Sequence, residues 1–361
     1  MSRYNQILNQ MIQQMHAGDY KPGDRLEPIR EMAITLQCSP ATLSAVFREL
    51  THRGYIQPRG CLGTHVNQKS AWGHTPEQHS NQLIGVMISE TLSMLPSIEQ
   101  TLHASGYSMV LSQCHQRQEQ AIACIDHWQK MGLHGVIWSP ISSANHAQDN
   151  QAIAHAIAAS GLKAVAVDRY PQTMEVNCVV SDNIYAGKLL TNHLLNLGHK
   201  RIGLIRHRHG STPEDRARGH EQALREARIK PKSSLTLTVD HGMAHEALIE
   251  RIARWIEKTK PTAVWSIAAD PLGQALLAAT HRLGLTAPDD ISIATFDSMI
   301  TATAMTCVIQ PLEDIARRAV KMLLTNIEQP TDEITRIVLP CELQTGQSTG
   351  KPTGSIKQVT T

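Results

Sequence analysis

Charged side chains follow short apolar segments of this chain at places where a small ligand could bind. Asp168 and Arg169 come directly after one apolar segment, and Asp297 comes directly after another. Arg216 lies in a polar stretch between two such segments. A guanidinium group and carboxylates can hold paired hydroxyl groups through directional, charge-assisted hydrogen bonds. Side chains of these types can therefore bind the hydroxyl groups of a small ligand.

The elements that must position these side chains are parallel strands alternating with helices. Short unbroken apolar segments separated by helical patterns are typical of parallel sheets covered on both faces. About ten such strands in roughly 270 residues favour two doubly wound halves. The clearest apolar segments are residues 83–88, 107–111, 135–138, 164–167, 178–180, 202–205, 235–239, 263–267 and 291–296.

In open sheets of this kind, ligands bind beyond the carboxyl ends of the strands. The residues after each strand are therefore candidates by position, namely Ser89, Glu90, Ser139, Asp168, Arg169, Asp182, Asn183, Asp270, Asp297 and the loop before Arg216. An alternative is that about half of them are helix N-caps, because Asp and Ser are favoured there. Asp182, Asp270 and Ser139 fit this alternative best. Trp128, Trp138, Trp255 and Trp265 lie within apolar helices or strands and are expected in the core.

The first 67 residues have a different pattern. Residues 30–36 predict a short helix, and Ser39 and Pro40 supply an N-cap and a helix-start proline for a second one. Apolar residues then recur at i, i+3, i+4 and i+7, namely Leu43, Val46, Phe47 and Leu50. Residues 55–56 and 64–66, with glycines between them, predict a hairpin. A helix–turn–helix followed by a hairpin, called a wing, can place one helix in the major groove of DNA.

The overall composition excludes several classes of protein. The net charge is +2, so a uniformly basic coat is excluded, although residues 1–69 hold eight Lys and Arg against five Asp and Glu. No apolar run approaches the roughly 18 residues of a membrane span, and the N-terminus lacks a signal-peptide pattern. The seven cysteines are scattered without a C-x-x-C pair, which is typical of reduced thiols. We expect a soluble, cytoplasmic protein.

Signatures of enzymes and of metal sites are weak. There is no G-x-S-x-G motif, P-loop or dinucleotide fingerprint. His207-x-His209 and His241-x-x-x-His245 have the spacing of metal ligands, but neither pair has a cysteine or carboxylate partner at a defined distance. We therefore expect no catalytic residues, no cofactor and no metal.

The N-terminal segment resembles the winged-helix module of the GntR family of bacterial repressors over residues 4–67. The motifs are Y-x-P-G-D-R-L, R-E-M-A, L-x-C-S and G-x-x-G-T-x-V. Pro40 and Ser44 stand where many members have arginines, so the base-reading residues differ from the usual set. The resemblance implies that DNA is contacted by Arg30, Ser39, Thr42, Ser44, Arg48, Arg59, Gly63, Thr64 and His65. For Arg30 and Arg48 the alternative is a solvated side chain or one paired with Glu31 or Glu49.

Residues 83–349 resemble the effector domain of the LacI family. The motifs are V-D-R (167–169), S-D-N-x-x-A-G (181–187), L-G-H-K-R-I-G (197–203), R-A-R-G (216–219), A-P-D-D-I-S-I-x-x-F-D (287–297) and Q-P-L (310–312). The resemblance implies two periplasmic-binding-protein-like lobes joined by three crossovers. It also implies an effector held between the lobes by Ser89, Asp168, Arg216, Asp297 and Gln310. Ala269 and a short loop after the first strand, without the usual aromatic pair, depart from the family.

The whole pattern predicts an α/β protein, with a winged helix-turn-helix at residues 1–67, a linker at 68–82, two lobes at 83–349 and a disordered tail at 350–361. Lobe 1 is expected at residues 83–180 and 300–328, and lobe 2 at 181–299 and 329–349. A GntR-type head on a LacI-type sensor resembles regulators of the arabinose-operon repressor type.

The function expected from this pattern is a homodimeric repressor that binds pseudo-palindromic operator DNA and responds to a sugar or sugar phosphate. It would not associate with a membrane. The alternatives are a sugar-processing enzyme and a sugar-binding protein whose head no longer reads DNA.

Overall fold

The computed structural model describes residues 3–58, 63–68, 72, 82–88, 92–298 and 304–353. These residues form two compact units, one within residues 1–82 and one within 83–361. None of the helices in the described ranges is long and apolar enough to cross a membrane. Cys38, Cys124, Cys178, Cys307 and Cys341 are free thiols.

The described part of the N-terminal unit consists of three helices and a two-stranded antiparallel sheet. The helices are α1 (Arg3–Ala17), α2 (Ile29–Thr35) and α3 (Pro40–His52), and the strands are β1 (Ile56–Pro58) and β2 (Thr64–Val66). Ser39 caps α3 as predicted, because its Oγ accepts a hydrogen bond of 3.1 Å from the backbone N of Thr42. The apolar residues predicted on one face of α3 are buried against apolar residues of α1. The sequence analysis did not predict helix α1.

Trp72 belongs to the N-terminal unit, whereas the sequence placed it in the linker. Its ring lies 5.6 Å from the ring of His16 and 5.9 Å from that of Tyr55, and its Nε1 donates a hydrogen bond of 2.8 Å to the Asn67 carbonyl. An indole buries a large apolar area once its N–H has an acceptor. The folded part of the N-terminal unit, which we call the head, therefore extends at least to residue 72.

The C-terminal unit contains two lobes, each built on a six-stranded sheet. Lobe 1 has the strand order β13-β7-β6-β5-β3-β4, and lobe 2 has the order β14-β12-β11-β10-β8-β9. The lobe 1 strands are β3 (Leu83–Met87), β4 (Ser108–Ser112), β5 (Gly135–Trp138), β6 (Lys163–Val167), β7 (Cys178–Ser181) and β13 (Arg336–Leu339). The lobe 2 strands are β8 (Ile202–His207), β9 (Thr236–Val239), β10 (Ala263–Ser266), β11 (Ser292–Phe296), β12 (Thr306–Ile309) and β14 (Glu342–Gln344). All pairings are parallel except that of β14 with β12, which confirms the predicted pair of parallel-sheet lobes.

Helices cover both sheets, and buried apolar side chains fill the space between them. The helices are α4 (Leu95–Ala104), α5 (Gln118–Lys130), α6 (His146–Ser160), α7 (Asn183–Asn196), α8 (Ser211–Glu226), α9 (His245–Thr259), α10 (Gln274–Arg282) and α11 (Leu312–Glu328). Trp128, Trp138 and Trp265 are at most 1 % exposed, and Trp255 is 9 % exposed. These values confirm the prediction that all four lie in the core.

The chain crosses between the lobes three times, and two predicted lobe boundaries are wrong. Strand β12 pairs with β11 and belongs to lobe 2, whereas residues 300–328 were expected in lobe 1. Strand β13 pairs with β7 and belongs to lobe 1, whereas residues 329–349 were expected in lobe 2. The chain therefore crosses from one lobe to the other after β7, after β12 and after β13. Pairing with strands that are distant in sequence decides to which lobe each of these strands belongs.

The start of the predicted disordered tail is instead held against lobe 2. The Gly350 carbonyl lies 2.8 Å from His199 Nε2, and the Thr353 hydroxyl donates a hydrogen bond to the Asp289 carbonyl. These bonds satisfy backbone groups that a disordered segment would leave to water. Residues 354–361 lie outside the described ranges.

Candidate functional site

Two carboxylates, the buried Asp168 and the half-buried Asp297, occupy equivalent positions in the two lobes. Asp168 follows β6 and Asp297 follows β11, and these strands have the same place in the two sheet orders. Both residues have a left-handed backbone, with φ of 66° at Asp168 and 65° at Asp297. This conformation is uncommon for residues other than glycine and marks a sharp turn at the strand end. The fold thus places one carboxylate at the carboxyl edge of each sheet.

The carboxyl edges of the two sheets face each other. Tyr170, two residues after Asp168 in lobe 1, donates a hydrogen bond of 2.7 Å from its hydroxyl to Asp215 Oδ2 in lobe 2. Gln172 Nε2 donates one of 2.6 Å to Glu214 Oε2 in lobe 2. These bonds join the segment after β6 to the first turns of α8.

Arg216 is fixed by three separate elements of lobe 2. Its Nε donates a hydrogen bond of 2.7 Å to Asn183 Oδ1 of α7, and its Nη1 donates one of 2.6 Å to the Ile267 carbonyl. The guanidinium carbon lies 3.2 Å from the centre of the Phe296 ring. Because the side chain is buried, these contacts leave it few alternative rotamers.

Close packing of two helices sets the backbone position of Arg216. Gly187 of α7 faces the Arg216 carbonyl, and a Cβ added there would lie 2.1 Å from that oxygen. Gly219 of α8 faces the Ile184 carbonyl, where an added Cβ would lie at 2.0 Å. Glycine at both positions allows the helix backbones to meet, at Arg216 itself and, one turn later, at Gly219.

Gln310 connects the second crossover to both lobes. Its Nε2 donates a hydrogen bond of 2.8 Å to Asp297 Oδ2, and its Oε1 accepts one of 2.8 Å from the Ser181 hydroxyl. The structure therefore brings Asp168, Arg216, Asp297 and Gln310 together, and we call these four residues the interlobe site.

The electrostatics of the interlobe site follow from burial and from opposite charges. Burial raises the pKa of Asp168 to about 6, although the positive charge of Arg216 acts in the opposite direction. Burial likewise raises the pKa of Asp297, against the effect of Arg216. Burial lowers the pKa of Arg216, whereas Asp297 and Asp168 raise it. Such a desolvated set of acceptors and donors can bind hydroxyl groups strongly, because the interior screens charges less than water does.

Other candidates by position have different roles. Asp182 is a helix cap as the alternative predicted, since its Oδ1 accepts a hydrogen bond of 2.8 Å from the Tyr185 N. Ser139 and Asp270 cap no helix; Ser139 is buried, whereas Asp270 is exposed. Ser89 and its neighbour Glu90 lie outside the described residues.

Sequence reasoning missed several residues of this region. Asn183 was a candidate by position only, and its bond to Arg216 was not expected. Tyr170 and Asp215 were not identified, although each lies next to a motif residue. The S-D-N motif could have predicted the role of Asn183. The aspartate of this motif caps α7, and the asparagine next to it accepts the hydrogen bond from Arg216.

The exposed face of α3 carries the predicted DNA contacts. Arg48 is exposed, and Thr42 and Ser44 are half-buried. The hydroxyls of Ser39 and Thr42 lie 2.8 Å apart, so both take part in the cap of the helix. Glu49 pairs with Arg53 at 2.7 Å, and within the described ranges no ion pair involves Arg48.

The remaining predicted contacts lie on α2 and on the hairpin. Arg30 is exposed, and no ion pair to it occurs among the residues that the structure describes. Gly63 has φ +88°, and an added Cβ would meet Arg25 Nε at 2.9 Å, so this turn requires glycine. Thr64 and His65 lie half-buried on β2. Arg59 is outside the described residues.

Two histidines of lobe 2, His207 and His241, form a stacked pair. The rings of His207 and His241 are 3.8 Å apart at an angle of 15°. In the described part of the chain, no group of three or more His, Cys, Asp or Glu side chains has the geometry to hold a metal ion.

Comparison with known proteins links this fold to transcriptional regulators. Residues 191–349 match the family model described as a periplasmic binding protein-like domain. The chain is 27 % identical to the arabinose metabolism transcriptional repressor of Geobacillus stearothermophilus, over 97 % of this chain and 98 % of that protein. It is 24 % identical to the ribose operon repressor of Halalkalibacterium halodurans, over 89 % of this chain and 96 % of that protein.

Solved structures share the fold. The transcriptional regulator CelR in its cellobiose complex has a TM-score of 0.64 at 21 % identity, over 86 % of this chain and 92 % of that chain. A LacI family transcriptional regulator from Enterococcus faecium with bound ribose has a TM-score of 0.62 at 21 % identity, over 75 % of this chain and all of that one.

Proposed function

We propose that this chain is a transcriptional repressor of a carbohydrate-utilisation operon, which binds operator DNA through its N-terminal unit and a sugar-like effector at the interlobe site. The observation that carries the proposal is the similarity to a curated repressor along 97 % of the chain, which spans both units. The side chains described above for each unit support this division of roles. A homodimer would place two copies of the head on the half-sites of a pseudo-palindrome.

The head is proposed to be a winged helix-turn-helix of the GntR type. Its three helices, the capped α3 and the two-stranded hairpin support this assignment. Helix α3 would enter the major groove with Thr42, Ser44 and Arg48 towards the bases, while Arg30 and the hairpin would contact phosphates. Pro40 begins α3 and has no backbone N–H to donate to a phosphate. Proline also has no guanidinium to bind a base edge, so the operator sequence should differ from that of relatives with arginine there.

The interlobe site is proposed to bind the hydroxyl groups of the effector. Asp297 and Asp168 would accept hydrogen bonds from hydroxyls, while Arg216 and Gln310 would position Asp297 and donate to ligand oxygens. Ser89, which follows β3, would join them. Since Gln310 lies on a crossover and contacts residues of both lobes, its environment changes if the lobes move. A coupling of about 1–3 kcal/mol between effector and operator would change operator affinity about 5- to 150-fold.

The DNA-binding part is tested by fluorescence anisotropy with a duplex from the upstream region of the chain's own operon. Arg48→Ala should weaken specific binding by about 5- to 150-fold, since one base contact contributes about 1–3 kcal/mol. Arg53→Ala is the matched control, because that arginine is on the same helix end and is already paired with Glu49. Equal affinity for the operator and for a scrambled duplex would refute the proposal.

The effector-binding part is tested with a sugar that raises the melting temperature of the protein. Arg216→Ala should abolish the response of the DNA complex to that sugar while operator binding persists. Loss of operator binding with Arg216→Ala would show that the arginine has a different role. We also expect the sugar to be recovered chemically unchanged, and its conversion would favour the enzyme alternative.

A further inference from the structure

A cavity of about 270 Å³ opens at the edge of lobe 2 that lies away from the interlobe site. It is bounded by α8, by the residues before β8 and by the segment that joins α8 to β9. Ile202 and Thr236, the first residues of β8 and β9, both line it. Because these strands run parallel to β11, whose carboxyl end leads to Asp297, the cavity is at the opposite edge of the sheet. Its volume is close to the lower end of the range for small-molecule pockets, about 300–1,000 Å³.

A buried histidine of α8 supplies a hydrogen-bond donor to this cavity. His220 is 3 % exposed, and its ring lines the cavity. Its Nδ1 lies 3.2 Å from Trp265 Nε1 and 2.9 Å from the Thr191 hydroxyl. An indole N–H can only donate, so Nδ1 is the acceptor and the proton of the neutral ring is on Nε2. Burial lowers the pKa of His220 to about 4, in agreement with a neutral ring.

The N–H group of His220 at Nε2 lacks an acceptor. Both hydrogen bonds of the ring are made by Nδ1, and within the described residues Nε2 has no partner. Nε2 is nevertheless not fully enclosed by protein, so it is open to the cavity that the ring lines. A donor that is shielded from bulk water but not paired favours a ligand atom with a lone pair.

Three lysines bring positive charge to the same cavity. Lys200 precedes β8, whereas Lys230 and Lys232 lie between α8 and β9, and all three are exposed. In the described part of the chain none of them forms an ion pair or a side-chain hydrogen bond. We call these three residues the cavity lysines. Their charges are therefore available to a ligand.

The other charged side chains that line the cavity have partners of their own. Glu221, the one acid among the lining residues, accepts a hydrogen bond of 2.7 Å from Arg225 Nη2. Arg201 donates from Nε to the Lys260 carbonyl at 3.2 Å and from Nη2 to the Thr259 carbonyl, both at the end of α9. The charge that remains at the cavity is that of the cavity lysines, so the favoured ligand is an anion.

Apolar side chains form part of the cavity wall. Ile202, Leu224 and Leu235 are buried residues that line it, and Ile229 and Pro231 are half-buried. A bare inorganic anion would gain nothing from these contacts, whereas a carbon skeleton would remove their surface from water. The wall therefore favours an organic anion.

We propose that this cavity binds a small organic anion, one of whose oxygens accepts a hydrogen bond from His220 Nε2 and whose phosphate or carboxylate group lies among the cavity lysines. Its carbon skeleton packs against the apolar wall. This binding goes beyond the proposed function, because it gives lobe 2 a second small-molecule site that is separate from the interlobe site.

The experiment is calorimetric titration of the full chain with glycerol 3-phosphate, 3-phosphoglycerate and succinate. Glycerol is the neutral counterpart, and inorganic phosphate is titrated separately. We expect at least one of the organic anions to bind at least about tenfold more tightly than glycerol and than inorganic phosphate, since hydrogen bonds to charged groups are the strong ones. Comparison of the two phosphate esters with succinate shows whether the site takes a phosphate or a carboxylate.

Charge removal at the cavity separates this site from non-specific attraction. Replacing the three cavity lysines together with alanine should weaken binding by about tenfold or more, because three favourable charges are lost. The matched control replaces Lys130, Lys258 and Lys321, which are exposed on α5, α9 and α11 and do not line the cavity. It removes the same net charge and should change the affinity by less than about twofold, since water and salt screen distant charges.

A second variant tests the buried donor. His220→Asn keeps an amide oxygen that can accept from Trp265 but removes the Nε2–H group, so binding should weaken by about tenfold or more. If this variant does not fold, the variant of the three cavity lysines still tests the site, because those residues are exposed.

Four outcomes would overturn the proposal. They are no binding of any of the three organic anions, inorganic phosphate binding as tightly as they do, unchanged affinity after replacement of the cavity lysines, and an equal loss of affinity in the control variant. A folded His220→Asn protein with wild-type affinity would contradict the role of the histidine. Operator binding is not needed in any of these titrations, so this proposal and the proposed function fail or hold separately.

Discussion

Replacing Gly187 with alanine should disturb the interlobe site from a distance. Gly187 lies inside α7, where alanine would ordinarily stabilise the helix by about 0.5–1 kcal/mol. Here the new Cβ would lie 2.1 Å from the carbonyl oxygen of Arg216 and 3.1 Å from its Cα, whereas ordinary contacts begin at 3.4 Å. The obstacle is helix backbone, which cannot rotate away as a side chain can. Helices α7 and α8 must therefore move apart by about 1.3 Å.

The size of the effect follows from two opposing contributions. Overpacking of this kind costs about 1–3 kcal/mol, which exceeds the intrinsic gain from alanine. The free energy of unfolding of the C-terminal unit should consequently fall by about 1–2 kcal/mol. The same displacement would lengthen the 2.7 Å bond from Arg216 Nε to Asn183 Oδ1 beyond hydrogen-bonding distance. Effector affinity should fall by about tenfold or more, because a hydrogen bond to a charged group contributes about 1.5–3 kcal/mol.

Urea unfolding followed by tryptophan fluorescence measures the stability change, since Trp128, Trp138 and Trp265 are buried in the two lobes. Lys188→Ala is the matched control on the same helix, because it removes only a surface ion pair of 2.8 Å with Glu226. That control should change stability by less than about 1 kcal/mol. A Gly187→Ala protein that is more stable than the wild type, with unchanged effector affinity, would refute the argument that this helix contact positions Arg216.

Two further predictions concern Asp168 and Ser39. Burial raises the pKa of Asp168 from 3.8 to about 6. Between these pH values the folded protein keeps the carboxyl proton, whereas the unfolded chain releases it. The free energy of unfolding should therefore fall as pH rises from 3.8 to about 6. Asp168→Asn should make urea unfolding less pH-dependent in that window, and an unchanged pH profile would contradict the assignment. Ser39→Ala should destabilise the N-terminal unit by about 1 kcal/mol, because the Thr42 N–H loses its acceptor. Thermal unfolding followed by circular dichroism tests this change, and a melting temperature equal to the wild type would argue against the cap.

Periodic apolar patterns were sufficient to predict the helices and strands that are buried on one or both faces. The spacing of Leu43, Val46, Phe47 and Leu50 predicted the buried face of α3, and all four residues are buried. The unbroken apolar runs predicted most strands of the two lobes. Strands β12, β13 and β14 were missed. All three are only three or four residues long, and β13 and β14 also contain exposed residues. The lobe boundaries failed because β12 and β13 reveal their lobe only through pairing with distant strands.

The interlobe site was predictable as a set of residues but not as a geometry. The D-R, R-A-R-G, F-D and Q-P-L motifs pointed to Asp168, Arg216, Asp297 and Gln310, and the structure brings these residues together. The bond between Arg216 and Asn183 could not be predicted, because it depends on the close approach of α7 and α8 at two glycines. The contact of Tyr170 with Asp215 likewise joins residues 45 positions apart in different lobes. In the head, the sequence located α3 but did not reveal that Ser39 and Thr42 would pair with each other.

The most direct test of the central claim is the equilibrium binding of the full chain to a duplex from its own upstream region, with and without a sugar that stabilises the protein. We predict a complex that prefers this duplex to a scrambled one and weakens as salt concentration rises, since phosphate contacts release counterions. We also predict that the sugar changes its affinity about 5- to 150-fold. Equal affinity for both duplexes would contradict DNA reading by the head. A preference for the operator that no stabilising sugar alters would contradict the coupling between the interlobe site and DNA binding.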